Sequence, residues 1–258
     1  MTSKPIPIEI KTTDSKDYYI RASWEERAET SDELASRFVR MIDALKKINP
    51  AFSLWTCGRK RSVDFEKIRD RYAEEIAAGL SRSDWGEPTP VYGYSFAATT
   101  RGVPRERYFV VSCHAGGTAR SPFSNAVTLT TSSNKAEPDP AVVGYRVFRP
   151  ALLAIVDAWN PAQAAAYSQQ LIQRYGGDSY FSPAWIQYLS PWLAEKITPP
   201  STVLSEHSPN GGLLMSATTE TFDIDNPAHL KAARDMAAAM APLNELPWPS
   251  PRAASDSR

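Results

Sequence analysis

A chain of 258 residues, 42% hydrophobic and 22% charged, can bury a substantial core, which excludes global disorder. Lys plus Arg equals Asp plus Glu at 29 each, arguing against a dedicated nucleic-acid binder and equally against a wholesale acidic mimic of DNA. Two cysteines, Cys57 and Cys113, are too few for a disulfide framework. The N-terminus lacks a secretory apolar core and no apolar run nears the roughly 20 residues that span a bilayer, so the expected location is the cytoplasm.

Residues 1–16 are polar and Pro-containing, an expected flexible lead-in. Tyr18 to Ser23 reads as a strand, with Arg21 making one face only partly apolar. Thr30 and Glu33 have capping-box spacing, and Leu34, Phe38, Met41, Ile42 and Leu45 then recur at steps of three and four, which predicts an amphipathic helix stopped by Asn49-Pro50. A second helix is expected from Ser62 or Asp64. It carries Ile68, Tyr72, Ile76 and Leu80 inward, and Arg69, Asp70, Arg71, Glu74 and Glu75 on a solvated face. Pro90–Ala97, Arg107–Ala115 and Asn125–Thr131 read as three strands with short links, hence an antiparallel meander. The middle one is apolar on both faces and so central in a sheet.

Ser132 to Pro140 is a polar loop, and Pro150 to Trp159 a buried helix ended by Asn160-Pro161. Ala162 to Tyr175 is ambiguous and rich in helix formers. Trp185 to Leu193 is aromatic, Gly212 to Thr219 reads as a strand, and Asn226-Pro227 opens a last helix that reaches Met240. The expected fold is α+β: a single domain, with a mainly antiparallel sheet packed by several helices, over residues 17–243, followed by a Pro-rich tail at 244–258.

Chemistry is sparse. Neighbours on a strand point to opposite faces, so Cys113 and His114 cannot act as a nucleophile–base pair. His114, His207 and His229 lack partners at metal-ligand spacing, no phosphate-cradling or dinucleotide loop occurs, and neither metal nor cofactor is expected. Pro138-Asp139 has no carboxylate-x-Lys element after it, as a nuclease site would need. Cys113, His207 and Asp157 are the candidates for an enzyme with a scattered site. The run Arg59-Lys60-Arg61 is the candidate for a nucleic-acid module.

The ordered phrases along the chain resemble a known family. Tyr18-Tyr19, Trp24, Arg27, Glu29 and Arg37 lead into Pro50-Ala51-Phe52-Ser53-Leu54-Trp55. Later come Trp159-Asn160-Pro161, with Asn160 where an acid is expected, and Trp185-Ile186-Gln187-Tyr188-Leu189. Gly211-Gly212, Phe222-Asp223 and Asn226-Pro227 close the series. This set, over residues 18 to 241, resembles the immunity protein 52 family of bacterial polymorphic toxin systems. The resemblance implies a non-enzymatic protein that binds a cognate toxin, a nuclease of restriction-endonuclease fold, including type VI secretion effectors. It implies no direct contact with nucleic acid or membrane.

Within that reading, Trp24, Arg27 and Glu29 are expected to form a structural cluster at the start of the first helix, the Arg on the Trp face or paired with a carboxylate. From Ile197 through Leu230 there is no Lys or Arg, while Glu206, Glu220, Asp223 and Asp225 fall inside. These acids are the candidates for meeting a basic toxin groove, with Trp185, Tyr188 and Trp192 as apolar anchors.

Overall fold

The structure is a computed structural model and describes residues 16–58, 61–119, 125–131, 137–176 and 180–246. The elements in chain order are β1 (Tyr18–Trp24), α1 (Ser31–Lys46), β2 (Trp55–Cys57), β3 (Val63–Asp64), α2 (Phe65–Ile68), α3 (Tyr72–Ala77), β4 (Tyr94–Thr100), β5 (Phe109–Ala115) and β6 (Asn125–Thr131). There follow α4 (Tyr145–Trp159), β7 (Gln163–Ser168), α5 (Gln169–Tyr175), β8 (Ile186–Leu189), α6 (Pro191–Ala194), β9 (Leu204–His207), β10 (Leu213–Ser216) and α7 (Pro227–Met240).

The ten strands among the described residues join one sheet in the order β3-β2-β4-β5-β6-β1-β7-β8-β10-β9. Every pairing in it is antiparallel. The expected α+β class and the β4–β5–β6 meander both stand. The first strand in sequence is an inner strand in space, because β1 slots between β6 and β7. Its Tyr18 end lies beside the end of β7, and its Trp24 end beside the start of β6.

One face of the sheet is packed by α1, α4 and the broken α2–α3 segment, and holds the main core. α1 forms as the pattern predicts. The Glu33 amide donates to Thr30 Oγ1, the Glu33 carboxylate accepts from the Thr30 amide, and all five stripe residues are buried. Asn49 then caps a short 3₁₀ turn, Pro50–Phe52, and the Trp55 indole donates back to the Phe52 carbonyl at 2.7 Å while the two rings stack. The Pro-x-Phe-x-x-Trp phrase is thus a self-closing corner that feeds β2.

Among the described residues, the opposite face is covered over β7, β8 and β10, by α6, α7 and the turn Ala241–Glu245. That makes β7 a strand buried on both sides, with Ala164 and Ala166 under α1 and α4, and Ala165 and Tyr167 towards α7. Two packed faces admit small side chains, so tertiary context overrides the helix propensity of an alanine run. Only the following Gln169–Tyr175 segment, capped by Ser168, is helical.

Four sequence expectations are corrected. The second helix is interrupted: Asp64 caps α2, Arg69–Arg71 tightens into a 3₁₀ turn, and α3 restarts, although Ile68, Tyr72 and Ile76 stay buried. Pro90–Tyr92 is a 3₁₀ turn, and the strand begins only at Tyr94. Between them Gly93 sits at φ +70°, where a Cβ would lie 2.4 Å from the Ala115 carbonyl oxygen, so glycine is required. α4 starts at Tyr145, placing Pro150 inside the helix. β5 is buried on one face only, with Val110, Ser112 and His114 on the side that helices leave open. The lead-in at 1–15, Arg59, Lys60 and the tail from 247 lie outside the described residues.

Candidate functional site

The Trp24 end of the sheet is braced by charge. Trp24 stacks on Trp159 at the end of α4, with centroids 5.4 Å apart, and the Arg27 guanidinium lies 4.9 Å over the Trp24 ring. Arg27 Nη2 donates to the Trp159 carbonyl at 2.9 Å, and Arg37 Nη1 to the Ala158 carbonyl at 3.0 Å. Two cations therefore satisfy carbonyls in the last turn of α4, at the negative end of its dipole. Glu29, only 5% exposed, pairs with both guanidinium groups and keeps them from repelling each other. Burial pulls the Arg27 pKa down, and the Glu29 carboxylate opposes that shift. The expected cluster is present, and Arg37 is its fourth member. Asn160 in the left-handed region then ends α4.

The backbone beside this brace is tied down too. The Arg27 amide donates to the Gly117 carbonyl, and the Asn125 side chain links Gly117 to the Glu25 carbonyl. The ends of β1 and β5 are thereby locked to the start of β6.

The aromatic anchor candidates fall elsewhere. Trp185 and Tyr188 are fully buried, so neither can meet a partner while the fold is intact. Trp185 packs against Phe148 and Tyr18 and donates to the Thr218 carbonyl. Tyr188 accepts from the Asn210 side chain at 2.8 Å and fills the space beside Gly212, where a Cβ would lie 2.4 Å from its ring. The Trp-x-x-Tyr-Leu and Gly-Gly phrases are therefore two halves of one packing contact. Trp192, partly buried, packs against the core beneath α6 and α7.

The four acids do not form one bare negative patch. Glu206, on the edge strand β9, pairs with Arg149 of α4. Asp225 lies 3.3 Å from Arg174 of α5, and Glu220 3.5 Å from His229. Asp223 accepts from the Asp225 amide in a local turn. A window free of Lys and Arg in sequence thus receives two guanidinium groups from other elements in space, at Glu206 and Asp225. Glu220 and Asp225 nonetheless remain 77% and 80% exposed, on the loop at the Tyr18 end of the sheet.

The scattered-enzyme residues are not assembled. Cys113 is buried in the core and its thiol is raised well above the ordinary range by burial, the opposite of an activated nucleophile. β5 and β9, which carry Cys113 and His207, are six strand positions apart, about 29 Å at ordinary spacing. Asp139 pairs with Arg107 and caps its own loop. Among the described residues no group of three or more His, Cys, Asp and Glu is arranged to hold a metal ion, and no helix is long and apolar enough to cross a membrane.

Two surfaces escaped the sequence reading. One is a shallow cleft of about 740 Å³ that takes in Arg21, Ser95, Ala97, Ser112, His114 and Thr128 on the half-sheet face left open among the described residues, and Tyr72, Glu75 and Phe96 from the packed side. Cross-strand pairing aligns Ala97, Ser112 and Thr128 in one row of small side chains that ends at Arg21. Near the Trp24 end, residues 81–89 project as a tongue ahead of β4, with Trp85 91% exposed. The first signal was present as strand alternation. The second was a Trp between Asp84 and Gly86, a turn-like setting that cannot bury it.

The chain is similar to the solved Pseudomonas aeruginosa T6SS protein PA0821, at 10% identity and a TM-score of 0.46, over 86% of this chain and 72% of that one. No curated protein matches it. The family model described as Immunity protein 52 matches residues 16–243, and the chain belongs to the Immunity protein 52 family.

Proposed function

We propose that this chain binds and neutralises a cognate bacterial toxin, a nuclease of restriction-endonuclease fold, by occluding its active site or substrate groove in the cytoplasm. The observation that carries the reading is the family match over residues 16–243. The arrangement of side chains supports it. The Arg27, Glu29 and Arg37 pairs brace the end of α4, Cys113 is buried, and among the described residues half of one sheet face and an acidic loop stand open to a macromolecule. A nuclease presents a positive groove to its substrate, so acids on the inhibitor speed encounter more than they deepen affinity. Glu220, Asp223 and Asp225 supply that steering, with Glu206 held back by Arg149.

The test is inhibition. The nuclease-domain protein encoded by the neighbouring open reading frame is incubated with plasmid DNA, with and without an equimolar amount of this chain. Protection of the plasmid, together with rescue of cells expressing the toxin, is expected. A toxin that cleaves DNA unimpeded would refute the proposal. Cleavage by this chain alone, with divalent metal and lost on Asp139→Ala, would move it to the enzymes.

A further inference from the structure

The tongue is a preformed element. Its two limbs are held by the Ser81 amide to the Gly93 carbonyl at 2.9 Å, and the Thr89 amide to the Ser81 carbonyl at 2.8 Å. The Ser83 amide bonds the Glu87 carbonyl, the Gly86 amide closes the tip onto the Ser83 carbonyl, and Arg82 Nη1 donates to the Gly86 carbonyl at 2.8 Å. Gly86 at φ +83° makes that tip turn possible. The root is pinned as well, because the Val91 carbonyl accepts from the amides of both Thr118 and Ala119, which directly follow the Gly117 held by Arg27 and Asn125. Trp85 therefore stands in water on a scaffold already ordered, with Tyr92 and Val91, 54% and 43% exposed, at the root.

An exposed Trp on a rigid support offers about 150–250 Å² of apolar surface, against about 800 Å² that each partner buries in a standard interface. Ordering it on binding costs little, since the loop has already lost its freedom. Asp84 and Glu87, both exposed, flank it at the tip, with Arg82 turned onto the tip carbonyl. A second copy meeting this one tongue to tongue about a two-fold axis would set those acids against themselves. A pocket in a protein with a basic rim matches them, and a nuclease groove has that chemistry.

We infer that the 81–89 tongue is the toxin-docking element, Trp85 seating in an apolar pocket at the edge of the toxin's basic groove and Asp84 and Glu87 meeting the cations of its rim. This rests on the proposed toxin-neutralising role.

The experiment measures binding of the neighbouring-frame toxin, as a catalytically dead variant, to the parent chain and to Trp85→Ala. A loss of about 30-fold or more in affinity is expected for Trp85→Ala, with an unchanged melting temperature. Asp84→Lys with Glu87→Lys should slow association at low salt. If the parent binds and Trp85→Ala binds within twofold of it, the tongue assignment falls and toxin neutralisation stands. If the parent itself does not bind, the neutralising role falls, and the tongue's assignment with it. Sedimentation that shows a dimer of the parent, dissolved by Trp85→Ala, would also overturn the assignment in favour of self-association.

Discussion

At the Trp24 end of the sheet, charges point inward and an aromatic ring points outward. At the Tyr18 end the arrangement is reversed: Tyr18, Phe148 and Trp185 pack edge and face in the interior, while Glu220 and Asp225 stand in solvent. The two ends are separated by the length of β1, about 20 Å at an ordinary strand rise. Ion pairs between half-exposed groups contribute little, whereas a carboxylate enclosed by two guanidinium groups is costly to remove. Exposed acids are cheap to carry and an exposed Trp is not. The Trp24 end therefore carries the stronger mark of a partner, and the Tyr18 end the weaker, longer-ranged one.

The largest effect should come from breaking the brace. Glu29→Ala leaves Arg27 and Arg37 facing each other beside the α4 carbonyls, and should cost about 3 kcal/mol. For a domain of this size that lowers the melting temperature by about 6–12 °C. Arg27→Ala should cost about 2 kcal/mol through the lost carbonyl bond and Trp24 contact, while the folded fraction binds toxin within twofold of the parent. Calorimetry and titration of the same samples check both numbers. An Arg27→Ala protein that melts normally but binds poorly would place the brace in the interface.

Trp85→Ala should give the mirror image, with binding lost and melting unchanged. The contrast between Arg27 and Trp85 separates support from contact at one end of the molecule.

Charge reversal at Glu220, Asp223 and Asp225 together probes the other end. Association should slow about tenfold at low ionic strength, with the off-rate unchanged, and the difference should shrink as salt shortens the screening length. An altered off-rate would mean that the acids touch the toxin, and that the Tyr18 end shares the anchor.

Much of this was readable from sequence where one local rule acts alone. The α1 capping box and stripe, the Asn226-Pro227 start of α7 and the opposite orientations of Cys113 and His114 all follow from neighbours in the chain. The Trp24–Arg27–Glu29 cluster was legible as a group, but its purpose was not, because the α4 carbonyls it caps lie more than 120 residues away. Separation in sequence also misled the reading of the acids, since the guanidinium groups that pair with Glu206 and Asp225 come from α4 and α5, more than 50 residues away. Trp185 and Tyr188 were misjudged because aromatic side chains suit cores and interfaces alike. Only the sheet register shows that β8 is enclosed by β7 and β10.

The smallest effect tests how the Tyr18 end is held together. The Tyr18 hydroxyl donates to the Phe222 carbonyl at 2.8 Å, fastening the acidic loop to β1. Burial, then the carboxylates of Asp223 and Glu137, push its pKa up to about 12, from the ordinary value of 10. A group whose pKa is higher folded than unfolded stabilises fully below the unfolded value and loses that contribution as pH climbs through the folded one. The Tyr18 contribution is therefore intact below pH 10 and fades between 10 and about 12. Tyr18→Phe should cost about 1 kcal/mol at neutral pH through the missing bond, and should make the alkaline loss of stability shallower over that window. Tyr19 and Cys57, both raised to about 12 by burial, and the buried Tyr72, Tyr167 and Tyr188, raised in the same way, keep the remaining slope. Denaturant melts at neutral pH and at steps through the alkaline range read both quantities. Equal slopes in parent and variant would mean that the hydroxyl is solvated in the folded state, leaving the acidic loop free to reorient when the toxin arrives.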